Sequence, residues 1–310
     1  MRVGVIGAGA MGQNHLRIYS EMQNVELAGI CDIDRTRAEY LAKKYGTKPY
    51  FDHKELLEQD LDGVSIAVPT TFHARVALDT IDSGTHLLVE KPVADNLENA
   101  DIIINAAHDA KVKLMVGHIE RYNPAVIRLK EIIDSGMLGK IVSISSRRVG
   151  PYNPRIRDVG IIMDLGVHDV DVISYLYGSK INEVYTIAGK DIHSFEDHAS
   201  ILLRCNNNLS GMVETNWLTP HKIRNLTAIG LQGVAYLDYI KQTLELHDEM
   251  WIRTAKVEPR EPLKNELEHF IKAISNGHSI VSNGETSRHA LQVVMAAIES
   301  YQTGKAVEIS

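Results

Sequence analysis

The stretch that decides the fold, Val3 to Gly12, reads V-G-V-I-G-A-G-A-M-G. An apolar, β-branched strand runs directly into the pattern G-x-G-x-x-G, whose glycines are Gly7, Gly9 and Gly12. The residues that follow, 13–22, continue as a predicted helix. A glycine pattern that closes a strand and opens a helix is typical of a dinucleotide-binding loop, whereas the letters without this context are a weak signal.

Each part of this loop has a predicted role. Gly7 forms the tight turn, Gly9 lets the backbone approach a pyrophosphate, and Gly12 allows the helix to pack closely on the strand. The helix N-terminus offers unpaired N–H groups and the positive end of its dipole to the phosphates. The predicted cofactor contacts in the loop are Gly7, Gly9, Ala10, Met11 and Gly12.

A second apolar strand, residues 25–31, ends at Asp32, which lies 20 residues after Gly12. This is the spacing at which an acidic residue binds the ribose hydroxyls of a dinucleotide. The carboxylate of Asp32 would also repel a 2′-phosphate, so the sequence predicts NAD as the cofactor. Arg35 and Arg37 are close enough in sequence to keep NADP as a less favoured alternative.

Composition places limits on the class of protein. A chain of 310 residues with 24% charged residues is typical of two globular domains, and its net charge of −7 argues against a nucleic-acid partner. No apolar run reaches about 18 residues, so no membrane partner is expected. Cys31 and Cys205 are far apart inside apolar runs, which predicts buried thiols and no metal site. With a strand at the N-terminus in place of a signal peptide, the expected location is the cytoplasm.

The predicted order of strands and helices changes near residue 118. Strands alternate with helices before it, which predicts an α/β, doubly wound parallel sheet of the Rossmann type over residues 1–118. Such sheets bind ligands at the carboxyl ends of their strands. After it, consecutive strand-like runs predict an α+β domain over residues 119–310, built on an open, mainly antiparallel sheet.

Three further segments fit this plan and resemble one family. They read A-V-P-T-T-F-H over 67–73, E-K-P over 90–92 and D-L-G-V-H-D-V-D over 164–171. Together with the glycine loop and the C-terminal stretch 299–307, they resemble the Gfo/Idh/MocA oxidoreductases across nearly the whole chain. The triplet E-K-P alone is common by chance, and the ordered set carries the resemblance.

The resemblance implies a catalytic trio of Lys91, Asp164 and His168, in which His168 removes a hydroxyl proton. It also implies a cis peptide before Pro92. One departure is that the family often has several glycines shortly before the aspartate, and here Gly160 alone fits, which indicates a substrate subgroup.

The residue types support these roles. Lys91 follows a predicted buried strand, where an ammonium can stabilise a developing alkoxide. Asp164 and His168 stand four residues apart on a helix predicted over 162–177, so they share one face. Histidine is the usual general base near neutral pH. The alternatives are a solvated lysine and a His–Asp pair that serves only as a cap or salt bridge, with Asp169 and Asp171 solvated.

Further cofactor contacts are expected at strand ends. The nicotinamide side is predicted to contact Pro69, Thr70, His73, Glu90 and Lys91. A helix cap from Thr70 or Thr71 and a packed, structural His73 is the alternative. Beyond the first domain, Arg121 is expected to buttress the site through an ion pair.

Basic clusters give the substrate prediction. Arginine forks match phosphate oxygens, and aromatic rings can stack on a base or sugar, so a phosphorylated or nucleotide-linked sugar is expected. The alternatives for these arginines are ion pairs with acidic residues or a subunit interface. The predicted substrate-binding residues are Asn123, Arg148, Tyr152, Arg155, Arg157, Trp217 and Lys222.

The stretch R-R-V-G-P over 147–151 and N-W-L-T-P over 216–220 resemble a subgroup that oxidises the C3 hydroxyl of UDP-N-acetylglucosamine. The expected function is therefore an NAD-dependent sugar dehydrogenase. A myo-inositol or other free-sugar dehydrogenase is the alternative enzyme, and a non-catalytic dinucleotide and sugar sensor the alternative class. A homodimer or homotetramer that assembles through the C-terminal sheet is also expected.

Overall fold

The computed structural model describes residues 1–154 and 159–309. The chain divides into two compact units. Unit 1 contains Met1–Ile119 and Leu263–Arg288, and unit 2 contains Glu120–Pro262 and His289–Ser310.

Unit 1 is built on a six-stranded parallel sheet with the strand order β3-β2-β1-β4-β5-β6. This doubly wound order places the change of winding direction between β1 and β4, where such folds bind ligands. β4 is buried on both faces, as expected for a parallel strand covered by helices. The strands are β1 (Arg2–Ile6), β2 (Glu26–Cys31), β3 (Lys48–Tyr50), β4 (Gly63–Ile66), β5 (His86–Glu90) and β6 (Leu114–Gly117).

Several helices of unit 1 begin at residues whose side chains cap them. Asp34 accepts a hydrogen bond from the backbone N–H of Arg37, and Asn96 does the same for Asn99. Gly46 ends one helix with φ +67°, a left-handed conformation that suits glycine. The helices are α1 (Ala10–Glu21), α2 (Arg35–Tyr45), α3 (His53–Leu57), α4 (His73–Asp82) and α5 (Leu97–Asp109), with a 3₁₀ turn at Thr70–Phe72.

A late segment of the chain completes unit 1. Phe270, on the long helix Pro262–Asn276, lies over Gly63, where a Cβ atom would come within 3.1 Å of its ring. The backbone N–H of Val116 in β6 donates to the carbonyl of Ser282 at 2.9 Å. The sequence-based division at residue 118 assigned this segment to the second domain, because its sequence carries no sign of which core it covers.

Unit 2 is built on a nine-stranded sheet with the order β14-β13-β12-β11-β7-β10-β9-β8-β15. Every neighbouring pair is antiparallel except β7 with β10, which run parallel. The strands are β7 (Ile141–Pro151), β8 (Ile181–Gly189), β9 (His198–Cys205), β10 (Leu209–Asn216), β11 (Leu218–Gly230), β12 (Gly233–Asp238), β13 (Thr243–His247), β14 (Ile252–Thr254) and β15 (Val307–Glu308).

Helices cover one face of this sheet. Buried and exposed residues alternate along β9, as expected for a strand with one face packed and one face open. The helices are α6 (Pro124–Asp134) and α7 (Val167–Tyr177), with a π-helical segment at Ile162–Gly166. The last two helices of the chain are α8 (Pro262–Asn276), which is the helix of unit 1 described above, and α9 (Gly284–Thr303). The predicted fold class, a Rossmann domain joined to an α+β domain with a mainly antiparallel sheet, is confirmed.

Both cysteines are buried, as predicted, and neither forms a disulfide. Burial raises the pKa of the Cys31 thiol to about 12 and that of Cys205 to about 11. Within residues 1–154 and 159–309, none of the helices has the length and apolar content needed to cross a bilayer.

Candidate functional site

The glycine loop has the geometry expected of its three glycines. Gly7 has φ +97°, and a Cβ atom there would lie 2.5 Å from the carbonyl oxygen of Ala67. A Cβ on Gly12 would lie 1.8 Å from the carbonyl oxygen of Gly7. Side chains at these two positions would therefore force β1, β4 and α1 apart.

Gly9 differs from the other two, because a Cβ atom there would meet nothing within 4 Å. It is the N-cap residue of α1, and in the described chain no side chain caps that helix. The N-terminus of α1 thus presents backbone N–H groups toward open space, which suits a pyrophosphate.

This open space is a cavity of about 770 Å³ at the carboxyl ends of β1, β2 and β4. Its volume is within the range of small-molecule and cofactor sites. The predicted cofactor residues that line it are Gly7, Gly9, Ala10, Met11, Asp32 and Pro69. The sequence reasoning missed others, notably Phe51, His53, Phe72 and Arg75. Phe72 could have been found, since it lies inside the segment that carries the family resemblance.

Asp32 connects the glycine loop to β2. Its Oδ2 accepts a hydrogen bond from the backbone N–H of Ala8 at 2.7 Å, and Oδ1 accepts one from Asp34 at 2.8 Å. The side chain of Arg37 approaches Asp32 at 3.5 Å and Asp34 at 3.0 Å. The carboxylate keeps acceptor capacity toward the cavity, because each ionised carboxylate offers about four lone-pair sites.

His73 lies behind the cavity and does not line it. The side chain is 1% exposed, with Nδ1 2.9 Å from the carbonyl oxygen of Pro92 and Nε2 3.0 Å from that of Val68. Burial lowers the pKa of His73 against the opposing effect of these carbonyls. The geometry agrees with the alternative of a packed histidine that links two strand ends. Thr70 is also absent from the cavity lining and begins the 3₁₀ turn.

Glu90 contacts a buried histidine that the sequence reasoning did not consider. His15 on α1 is fully buried, and its Nε2 lies 3.1 Å from Oε1 of Glu90. Burial favours the neutral form of Glu90, but the hydrogen bond from His15 and the charges of His15 and Lys91 outweigh it, so the pKa of Glu90 is lowered. The peptide between Lys91 and Pro92 is cis, as the resemblance implied.

Asp164 and His168 occupy the segment where the predicted helix departs from α-helical geometry. Asp164 lies in the π-helical segment and His168 in the first turn of α7. Both are partly exposed, as are Met163 and Leu165, whereas Val167 and Asp169 are buried. π-helical segments occur often at functional sites.

Gly160, which precedes this segment, has a steric reason to be glycine. A Cβ atom there would lie within about 2.0 Å of the carboxyl group of Glu196. The backbone carbonyl of Glu196 also accepts a hydrogen bond from Ile161 at 2.9 Å. The start of the helix that carries Asp164 is therefore packed directly against Glu196.

Arg148 is not available to a substrate, which corrects the sequence prediction. The side chain is 1% exposed; its Nε donates to Asp169 at 2.7 Å and its Nη1 to Glu120 at 2.7 Å. Burial works against the charged form, yet the charges of Asp169 and Glu120 hold the pKa of Arg148 above its usual range. Ser146 also donates to Asp169 at 2.5 Å. Asp169 is consequently a buried partner of Arg148 and not a solvated residue.

A second buried ion pair involves α7, the helix that also carries Asp169. Arg121 donates to both carboxylate oxygens of Asp171, at 2.7 and 2.8 Å. This bidentate pair agrees with the buttressing role predicted for Arg121 and shows that Asp171 is buried. Asn123 is 2% exposed, caps α6 through the N–H of Ala125 and donates to the carbonyl of Tyr239. The prediction that Asn123 contacts substrate is therefore replaced by a structural role.

The predicted aromatic substrate contacts form a cluster of their own. Tyr152 stacks on His193 with ring centroids 3.8 Å apart, and Trp217 packs edge-on against both. Trp217 is 5% exposed, so it supports the cluster and is not a stacking surface. Lys222 is exposed and its stem lies over Gly150. Arg155 and Arg157 lie outside the described residues.

The doubly wound sheet, glycine loop and acidic strand end define a dinucleotide-binding oxidoreductase. Residues 1–118 match the family described as "Oxidoreductase family, NAD-binding Rossmann fold", and residues 126–236 match the "GFO/IDH/MocA C-terminal domain". The chain belongs to the Gfo/Idh/MocA oxidoreductase family.

Several relatives match over their full length. The chain is 28% identical to the UDP-N-acetylglucosamine 3-dehydrogenase of Acidithiobacillus ferrooxidans over 97% of this chain and 98% of that protein. It is 27% identical to the myo-inositol 2-dehydrogenase of Thermotoga maritima, and the match covers 100% of this chain and 98% of that protein. A crystal structure of the Acidithiobacillus enzyme superposes with a TM-score of 0.91 at 27% identity and covers 98% of each chain.

The different surroundings of Gly12 and Gly9 lead to opposite expectations for alanine variants. Gly12→Ala is expected to lower the free energy of unfolding by about 3 kcal/mol, because its methyl group overlaps a backbone oxygen. Gly9→Ala should leave stability within about 0.5 kcal/mol and weaken NAD binding about tenfold or more. Thermal unfolding and fluorescence titration with NADH measure the two effects, and equal stability losses would contradict this geometry.

Neighbouring arginines provide a matched test of the buried charge cluster. Arg148→Met is expected to destabilise the protein by about 3–5 kcal/mol, since it leaves two buried carboxylates without their partner. Arg147→Met removes an exposed pair with Glu214 and should cost at most about 1 kcal/mol. Chemical denaturation measures both. An Arg148→Met variant of wild-type stability that fails to bind substrate would restore the original prediction.

Proposed function

We propose that the protein is an NAD-dependent dehydrogenase that oxidises the C3 hydroxyl of UDP-N-acetylglucosamine to the 3-keto sugar. The observation that carries the cofactor assignment is the carboxylate of Asp32, which lines the cavity beside the open face of Gly9. The substrate assignment is supported by the similarity to the Acidithiobacillus enzyme over 98% of that protein and by the basic residues Lys222 and Arg224, which are not buried.

NAD is preferred to NADP in this proposal for an electrostatic reason. A 2′-phosphate would approach the Asp32 carboxylate, and a like charge at that distance is unfavourable. Arg37 could offset the repulsion, but it already contacts both Asp32 and Asp34. NAD, when bound, supplies the two-electron acceptor for the oxidation.

In this proposal, side chains of the protein accept the proton and stabilise the charge that develops on the sugar. His168 accepts the proton of the sugar hydroxyl, and Asp164 orients its imidazole and stabilises the protonated form. The Lys91 ammonium stabilises the negative charge that develops on the sugar oxygen. His15 and Glu90 hold the segment that carries Lys91, because their buried contact fixes the end of β5 against α1.

A myo-inositol or free-sugar dehydrogenase is the alternative enzyme, favoured by the full-length similarity to the Thermotoga enzyme. A non-catalytic sensor of dinucleotide and sugar is the alternative from another class. A sensor has no need of a general base or an oxyanion-stabilising lysine, so the presence of Lys91 and His168 favours catalysis.

Turnover distinguishes these functions. Wild-type protein with NAD and UDP-N-acetylglucosamine is expected to produce NADH absorbance, faster than with myo-inositol or with NADP in place of NAD. Lys91→Met should reduce kcat by about 10²–10³ and leave the Kd for NAD within about twofold. Turnover of myo-inositol alone would support the alternative enzyme, and NAD binding without turnover of either sugar would support the sensor.

We also propose a cytoplasmic location, supported by the two buried thiols without a disulfide. Assembly into a homodimer or homotetramer is proposed through the open face of the unit 2 sheet. Apolar side chains form a band there: Tyr185, Leu202 and Met212 are paired in register on β8, β9 and β10 and are 38%, 53% and 47% exposed. A contiguous apolar band on an open sheet is typical of a protein–protein contact, and a second copy carries the matching surface.

Leu202→Glu places a charge in the middle of this band and is expected to convert the oligomer into a smaller species. The matched control is Ile102→Glu, at a 43% exposed isoleucine on α5 of unit 1, which should leave the mass unchanged. Light scattering coupled to size exclusion gives the masses. A monomeric wild type, or a Leu202→Glu variant with the wild-type mass, would contradict assembly through this face.

A further inference from the structure

Arg224 occupies a distinctive position in unit 2. It lies on β11 directly opposite Arg148 on β7, in the antiparallel register of these strands. Side chains at directly opposed positions point to the same face of a sheet. Arg148 contacts Asp169 of α7, so Arg224 also lies on the helix-covered face that carries the candidate catalytic segment.

The two arginines differ in how their charges are compensated. Arg148 is paired with two carboxylates, Asp169 and Glu120. Among residues 1–154 and 159–309, none forms a hydrogen bond or ion pair with the guanidinium of Arg224. Arg224 is nevertheless partly buried, and burial together with the charge of Arg148 lowers its pKa. A guanidinium stays protonated at neutral pH, so Arg224 carries a positive charge that no counter-ion contacts within the described part of the chain.

Such a charge is costly to hold inside a protein. Removing an ion from water without a partner is unfavourable, and the neighbouring Arg148 adds like-charge repulsion. Asp169 and Glu120 contribute attraction to Arg224 at longer range, as does Asp164. Asp164 is the candidate catalytic aspartate, so Arg224 interacts electrostatically with the candidate catalytic segment. Asp169 and Glu120 are engaged by Arg148, so the N–H donors of the Arg224 guanidinium can donate to the oxygen atoms of a ligand.

We propose that Arg224 binds the phosphate group of the substrate and thereby selects phosphate-bearing sugars over neutral polyols. This inference rests on the proposed function, because it names the residue that binds the phosphate group of the proposed nucleotide-sugar substrate. A guanidinium donates two parallel hydrogen bonds to phosphate oxygens and matches their geometry better than an ammonium does. The shared chemistry is a phosphate ester on the sugar, either a sugar monophosphate or a nucleoside diphosphate sugar.

The test compares wild type, Arg224→Met, Arg224→Lys and Arg147→Met, each saturated with NAD. Calorimetric titration with UDP, and separately with glucose 6-phosphate, gives the Kd of each phosphate source. Arg224→Met is expected to raise the Kd of the preferred ligand about 30-fold, and Arg224→Lys to recover part of this loss. Arg147→Met, on a neighbouring exposed position, should stay within about twofold. Arg224→Gln replaces Arg224→Met if thermal unfolding shows that the latter is not folded.

Steady-state kinetics separate phosphate binding from a general effect on the site. Arg224→Met should raise KM for the phosphate-bearing sugar far more than it lowers kcat, and any oxidation of myo-inositol should be unchanged. The proposal is overturned if Arg224→Met binds the preferred ligand like wild type, if it impairs myo-inositol oxidation equally, or if wild type binds neither phosphate compound. Binding of glucose 6-phosphate but not UDP, lost in Arg224→Met, would uphold the role of Arg224 while rejecting the nucleotide-sugar substrate.

Discussion

The structure depends on the requirement that a charge removed from water must be matched by an opposite charge. In unit 1, the Glu90 carboxylate, whose side chain is 12% exposed, lies 3.1 Å from Nε2 of the fully buried His15 and next to Lys91. In unit 2, Arg148 is matched by Asp169 and Glu120. Each match connects segments that are far apart in sequence, so each also holds a strand end or a helix in place. The same requirement separates arginines with structural roles from those that are available to a ligand.

The glycine loop depends on a different constraint, the close approach of backbone atoms. Gly12 brings α1 onto the turn at Gly7, and this contact aims the first N–H groups of the helix into the cavity. Asp32 then ties the loop to β2 through the N–H of Ala8. The residue proposed to favour NAD over NADP is thus also a structural part of the loop.

Unit 2 has two chemically different faces. The helix-covered face carries Arg148 and Arg224, which lie opposite each other on β7 and β11, and the segment with Asp164 and His168. The open face carries the apolar band that includes Leu202. The strict alternation of side chains in a strand allows one sheet to serve both purposes. In β7, Arg147 points to solvent while Arg148 next to it is buried.

The sequence by itself determined the architecture of both sheets, the glycine loop and Asp32, because these features are local: strand periodicity, turn chemistry and a fixed spacing. It did not determine which arginines meet a carboxylate, since Arg148 and Glu120 are 28 residues apart and become partners only in the folded sheet. Tertiary structure buried Asn123 and Trp217 and assigned the segment at 263–288 to unit 1. It also left Arg224 without a contacting acid among residues 1–154 and 159–309. The physical reason is that burial and charge pairing are properties of neighbours in space, which residue type and spacing along the chain do not specify.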